Sequence, residues 1–342
     1  MKKFIVLLLF AMPVAIKAQT KFGVLVYGKT NVNKKIQIAK ELGVAYVRDA
    51  IVMQSWNGRD ENFEKYTAAG LKVILNINWG HVRGTEGEKN PVPFPKDTVK
   101  YKQILSDILD KYKPEVVVIE NEELNRRYHS GPIEDYINEL TAAINVAHSK
   151  GLKVTNAGLT GKGFSLLVYN DYMKRGMQKE ANDFARRCMK PAWMKEIRNN
   201  TENDSEDDEG GETTTRAQKL IEAYKRLPLD YVNFHIYEPI KNIRGGTDEN
   251  VKQITPNALK EIIDYLSRAT GKKVMSNECG ERSSSPELVP QMLEEFSKYN
   301  MDYVIWFSGD GEAGAKALQN DDGTLRESGA AFKNFVQARK SK

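Results

Sequence analysis

Cysteine is nearly absent from this chain, with only Cys188 and Cys279 among 342 residues. A disulfide scaffold is thereby excluded, although one bridge between the two stays open in an oxidising compartment. Histidine is almost as scarce, at four residues, and no His-x-His pair supplies a binuclear-type metal centre. No apolar run reaches the ~20 residues of a membrane-crossing helix, so no integral membrane segment is expected. A charge excess is lacking as well. The formal net charge is +5, but Lys2, Lys3 and Lys17 fall in a leader and the remainder is closer to neutral. Nucleic acid is therefore not an expected partner. Familiar cofactor and nucleophile motifs are missing too. No Gly-x-Gly-x-x-Gly follows the first strand. Gly163-Phe164-Ser165-Leu166-Leu167 lacks the closing glycine of a nucleophile elbow, and residues 158–163 lack phosphate-loop spacing. No cofactor and no metal are expected.

What is present begins with residues 1–18, MKKFIVLLLFAMPVAIKA, a basic start followed by a short apolar stretch and a small residue at the end. This pattern predicts a cleaved secretory signal peptide of bacterial style, hence a periplasmic or secreted protein. No cysteine follows the apolar stretch, so a lipid anchor is not expected. Residues 19–342 then read as one domain.

Hydrophobic residues make up 40% of the chain, enough for a large core. They fall into eight short β-rich runs at 22–27, 45–51, 72–78, 115–120, 153–157, 231–237, 273–277 and 303–307. Several are nearly continuous in Val, Ile and Tyr, as strands buried on both faces should be. Helical patterns lie between and after them, at 31–42, 62–69, 98–111, 132–149, 213–226, 256–270, 286–299 and 329–339. Gly43, Gly70, Gly151 and Gly271 punctuate helix ends. Thr255-Pro256 and Ser285-Pro286 read as helix starts. Eight such units predict a closed (β/α)₈ barrel, with a doubly wound sheet as the alternative. The interval between strands five and six is long, and predicts an insertion over about 161–214. It holds one or two added helices over 170–200 and an acidic loop over 199–214. A calcium loop is disfavoured there, because the position that needs glycine is Asp208. Two glycosylation sequons, at Asn199 and Asn203, matter only in a host that uses them.

In such a barrel the chemistry sits at the C-terminal ends of the strands. Reading those ends in order gives Arg48; then Asn76, Asn78, Trp79 and His81; then Glu120, Asn121, Glu122 and Glu123; then Asn233, His235, Tyr237 and Glu238; then Asn277 and Glu278; and last Trp306 and Phe307. Glu122 and Glu278 stand out. Each ends an apolar run, where a carboxylate is costly unless paired, hydrogen-bonded or used. Two carboxyls facing each other across a barrel mouth are what glycoside hydrolysis requires, one as acid and one as nucleophile or base.

At these positions the chain resembles the clan A glycoside hydrolases, retaining β-glycosidases on (β/α)₈ barrels. The resemblance rests on Asn121-Glu122 ending strand four, Glu278 ending strand seven, Arg48 on strand two, His235-Ile236-Tyr237 on strand six and Trp306 on strand eight. It implies Glu122 as acid/base and Glu278 as nucleophile. Arg48, Asn121, His235, Tyr237, Trp306, Trp79 and His81 would bind substrate. Trp306 would stack beneath the sugar, and Trp56 and Tyr27 are further platforms. The implied partner is a β-linked oligo- or polysaccharide, and a monomer is expected. A non-catalytic carbohydrate-binding barrel and a transglycosylase using the same residues stay open. Each residue also has a plainer reading. The glutamates would be structural ion pairs, Arg48 a partner of Asp49, His235 a core histidine, and Tyr237 and Trp306 core aromatics. Strand alternation puts Glu120 on the side of Glu122, with a scaffold role preferred. His129 and His148 read as surface residues, and Cys279 should face away from Glu278.

Overall fold

The computed structural model describes residues 19–28, 30–80, 91–194, 209–240, 253–283, 285–299, 301–309 and 317–340. The leader, His81 and most of the acidic 199–214 segment fall outside this set. Eight parallel strands close into a barrel: β1 (Lys21–Val26), β2 (Tyr46–Val52), β3 (Lys72–Asn78), β4 (Val116–Ile119), β5 (Val154–Thr155), β6 (Tyr231–Glu238), β7 (Lys273–Glu281) and β8 (Tyr303–Ser308). Each pairs with its sequence neighbours, and β8 closes the ring against β1 from Lys21↔Tyr303 to Val26↔Ser308. The fold is thus a (β/α)₈ barrel and not an open sheet.

Helices α1 (Val32–Glu41), α2 (Glu61–Ala68), α3 (Thr98–Lys111) and α4 (Ile133–Ser149) follow the first four strands. Side-chain oxygens of Asn31, Asp60 and Asp97 cap the first three by accepting from backbone N–H groups of their first turns. The insertion contributes α5 (Gly161–Lys174) and α6 (Gln178–Cys188) before α7 (Glu209–Arg226). Residues 209–214, expected as loop, are the first turns of α7. Then come α8 (Ala258–Thr270), α9 (Leu288–Lys298) and α10 (Glu327–Lys340). Thr255 does not cap α8. The helix starts after Asn257, and the Thr255 hydroxyl donates to Glu238 instead, at 2.7 Å.

Two apolar layers hold the molecule. The larger lies between barrel and helices. The smaller plugs the barrel with Ile74, Val116, Val118, Tyr231, Met275, Tyr303 and Ile305. Above this plug the lumen turns polar, and Asn76, Asn156, Asn233 and Asn277 are all buried there. Cys188 and Cys279 are both buried, and no disulfide joins them. Among the described residues no helix is long and apolar enough to cross a membrane.

Candidate active site

Inward-facing positions of β2 and β3 place Arg48 and Asn76 side by side, with Arg48 Nε donating to Asn76 Oδ1 at 2.9 Å. The rest of the guanidinium fans across the lumen. Nη1 donates to Glu278 Oε2 at 2.5 Å and to the Asn277 carbonyl at 3.2 Å, and Nη2 donates to Asn121 Oδ1 at 2.7 Å. One arginine from strand two therefore ties the ends of strands four and seven together. Tyr237 completes the hold on Glu278, its hydroxyl donating to Oε1 at 2.7 Å. Burial alone would raise the Glu278 pKa. The charges of His235 and Arg48 and the Tyr237 hydrogen bond outweigh that and hold it well below the usual carboxylate range.

Glu122 is surrounded differently. Its Oε1 lies 3.1 Å from His235 Nδ1, and its Oε2 accepts from Asn125 Nδ2 at 2.7 Å. The asparagine network fixes the tautomer of His235. Arg48 Nε can only donate, so Asn76 Oδ1 accepts, and it also accepts from Asn277 Nδ2 at 3.0 Å. Asn277 Oδ1 must then be the atom facing His235 Nε2 at 2.8 Å and Asn233 Nδ2 at 2.6 Å. Nε2 carries a hydrogen and Nδ1 points at Glu122. Burial lowers the pKa of His235, but Glu278 and Glu122 beside it win and raise it overall. Gly158 makes room for this ring. Its φ is +132°, and a Cβ there would stand 2.3 Å from His235 Nε2.

Strand alternation alone would not bring both members of Asn121-Glu122 or of Asn277-Glu278 into the lumen. In β7 a register shift against both neighbours pairs His235 with Glu278 after Asn233 with Met275. Such a bulge turns consecutive side chains to one face, and the Ser276 hydroxyl secures it on the carbonyls of Phe234 and Glu278. After β4 the backbone is left-handed at Glu120 (φ 67°) and Glu122 (φ 53°). This overturns the expectation that Glu120 shares the face of Glu122. Glu120 is buried; its Oε1 accepts from the Trp79 backbone N–H at 2.6 Å, and its carboxyl faces Glu139 of α4.

The same parity corrects Trp306. Tyr303 and Ile305 belong to the barrel plug, so Trp306 points outward. It is 1% exposed, its ring is 5.8 Å from Phe332 of α10, and it cannot lie beneath a sugar. Phe307 takes the mouth position instead, between Tyr237 at 6.0 Å and Tyr27 at 5.7 Å, and Tyr27 is 59% exposed. Trp79 is half-buried against Tyr101, and Trp56 packs edge-on against Tyr112. His129 is not a surface residue. It is buried, stacked on Phe94, and its Nε2 donates to the Asn121 carbonyl at 2.7 Å. His148 is part-exposed and contacts Asp230 at 3.0 Å. Cys279 is buried in the outer layer, facing away from Glu278.

Glu122, His235 and Glu278 each bring one ligand atom within 4.8 Å of the others. That spacing would admit a metal ion, but the Arg48 guanidinium already on Glu278 opposes a further positive charge. The same figure is an upper bound on the gap between an oxygen of Glu122 and one of Glu278.

No protein-family profile matches the chain, and no curated protein matches it in sequence. Solved structures do match in fold. An endo-β-1,3-glucanase of glycoside hydrolase family 128 from Sorangium cellulosum is 15% identical, with TM-score 0.55 over 92% of this chain and 97% of that one. An endoglucanase from Pseudomonas stutzeri is 12% identical, with TM-score 0.53 over 92% and 94%. A family 128 oligosaccharide-binding protein from Trichoderma gamsii is 13% identical, with TM-score 0.50 over 94% and 96%. The fold is therefore that of the barrel glycoside hydrolases. At these identities the likeness is one of architecture, and no particular family is assigned.

Proposed function

We propose that the protein is an exported, metal-independent retaining β-glycoside hydrolase acting on β-linked oligo- or polysaccharide as a monomer. The carrying observation is the pair Glu122 and Glu278, with oxygens within 4.8 Å and opposite surroundings. A gap of ~5–5.5 Å between the carboxyls suits retention, whereas inversion needs ~6.5–9.5 Å to seat a water. Glu278, ion-paired and hydrogen-bonded, is the ionised nucleophile. It attacks the anomeric carbon while Glu122 delivers its proton to the departing glycosidic oxygen. Glu122, now a carboxylate, takes a proton from the water that attacks the anomeric carbon and releases Glu278. His235 keeps the Glu122 proton in play, Arg48 and Tyr237 keep Glu278 charged, and Asn121, held by Arg48, faces the sugar beside the anomeric centre. Phe307, with Tyr27, offers the apolar wall that Trp306 does not.

The same barrel also serves a protein named for oligosaccharide binding, so a non-catalytic carbohydrate-binding barrel is the second reading. A transglycosylase would use the same residues and differ in excluding water. Incubation with a panel of fluorinated mechanism-based β-glycosides, followed by intact-mass spectrometry and peptide mapping, tests the assignment. An adduct on Glu278 is expected. An adduct elsewhere, or none together with no digestion of any β-linked polysaccharide, sinks the hydrolase. Product analysis with an acceptor sugar separates transfer from hydrolysis.

A further inference from the structure

Arg282 immediately follows β7, four residues beyond Glu278, and its backbone N–H donates to the Glu238 carbonyl at 2.8 Å. This places it at the mouth of the barrel. Its guanidinium lies 5.1 Å from the centre of the Tyr237 ring, and the Tyr237 hydroxyl touches Glu278. One glycan can therefore touch both the nucleophile and this arginine. The Arg282 side chain is half-buried, yet among the described residues it forms no hydrogen bond and no ion pair, and its Nε is buried without an acceptor. The carboxylate nearest in charge is Glu238. That group is buried, accepts from Thr255 N, Thr255 Oγ1 and Ile240 N, and burial pushes its pKa up to about 7. No ion pair or side-chain hydrogen bond joins it to Arg282, and its carboxyl oxygen is already taken up by Thr255 and Ile240. Arg127, on the segment after Glu122, is exposed.

A guanidinium held over an aromatic ring, partly desolvated and with donors unspent, is a fork for a planar or tetrahedral anion. Resting on the glycosidase reading above, we propose that Arg282 recognises an anionic substituent, a carboxylate or a sulfate ester, on a sugar bound beside Glu278, and that the substrate is an acidic β-linked glycan.

The test uses the full mature chain as Glu278→Gln for binding and as wild type for cleavage. The probes are soluble β-linked glucans, xylans and mannans, each supplied neutral, C6-carboxylated where the sugar has a C6, and sulfated. The expected result is that one acidic form of one polymer is bound and cleaved better than its neutral parent. Arg282→Gln, and Arg282→Met which keeps the stem over Tyr237, should each cut that acid-to-neutral ratio about tenfold to a hundredfold. Arg282→Lys should restore part of it. Preference for the carboxylated or for the sulfated form names the anion. A wild-type enzyme that favours the neutral forms, or an acid preference that survives Arg282→Met, overturns the inference and leaves the hydrolase standing. No binding or cleavage of any polymer overturns both.

Discussion

Arg48 spends every arm of its guanidinium on the site, and this sets what each neighbour can do. With Nη1 on Glu278 and Nη2 on Asn121, it pairs the proposed nucleophile with the residue that precedes the proposed acid/base. Arg48→Met should let the Glu278 pKa rise, because a cation that favours its charged form is gone. The acid limb of the kcat/KM profile should move to higher pH and kcat should fall about 10²-fold or more. A pH–rate series on one substrate reads both. Glu122→Gln should slow glycosyl-enzyme formation most for poor leaving groups and least for activated aryl glycosides, which need little protonation. Equal losses across a leaving-group series would remove Glu122 from the acid role. Behind these residues, Glu139 of α4 is fully buried, and the groups it faces are the Glu120 carboxyl and the Tyr101 hydroxyl. Burial first, and then the charge of Glu120, raise its pKa well above the usual carboxylate range, which favours the neutral acid. Glu139→Gln keeps a neutral donor and should melt close to wild type. Glu139→Leu leaves Glu120 short of its partner and should cost about 1–3 kcal/mol by denaturant titration.

Eight βα units were legible because their signals are local. Gly43, Gly70, Gly151 and Gly271 all take positive φ where helices end, and continuous Val/Ile runs mark strands buried on both faces. The strand-end residues were legible for the same reason, and Arg48, Asn121, Glu122, His235, Tyr237 and Glu278 converge as a set. What the sequence hid is where alternation breaks. The bulge in β7 and the left-handed residues after β4 each turn two consecutive side chains inward, and nothing in Asn-Glu reports that. In β8, which keeps strict alternation, counting from the plug residues Tyr303 and Ile305 would have chosen Phe307 over Trp306. His129 was hidden differently, since its burial depends on a two-residue strand (His129–Ser130) pairing with Val92–Pro93. Element geometry also makes a prediction. β5 runs straight into Gly158, whose missing Cβ admits His235. Gly158→Ala should displace that ring, break its bond to Asn277, and lower kcat more than KM, while strain at φ +132° lowers the melting temperature. Unchanged kcat in a folded Gly158→Ala protein would show that the His235 position is not fixed from this side.

At the scale of the whole molecule, the buried acids set opposite slopes of stability against pH. Glu278 has a depressed folded pKa, so it contributes stability above the ordinary carboxylate value that is lost as pH falls toward its folded value. Glu120, Glu123, Glu139 and Glu238 have folded pKa values raised by burial. Each binds its proton more tightly folded than unfolded, so its contribution is full below the unfolded pKa and is lost as pH rises through the folded value. Glu238 places that loss in an accessible window, from about 4.3 unfolded to about 7 folded. Wild-type stability should therefore fall between about pH 5 and pH 8, against the usual gain on leaving acid. Glu238→Gln retains an oxygen for Thr255 and Ile240 but has nothing to ionise. It should flatten that slope and add about 1–3 kcal/mol at pH 8 relative to wild type, with little difference at pH 5. Urea titrations of both proteins at the two pH values decide it. Parallel curves at both would mean that Glu238 stays charged in the fold, and that the loop after β6 is held by a carboxylate rather than by a carboxylic acid.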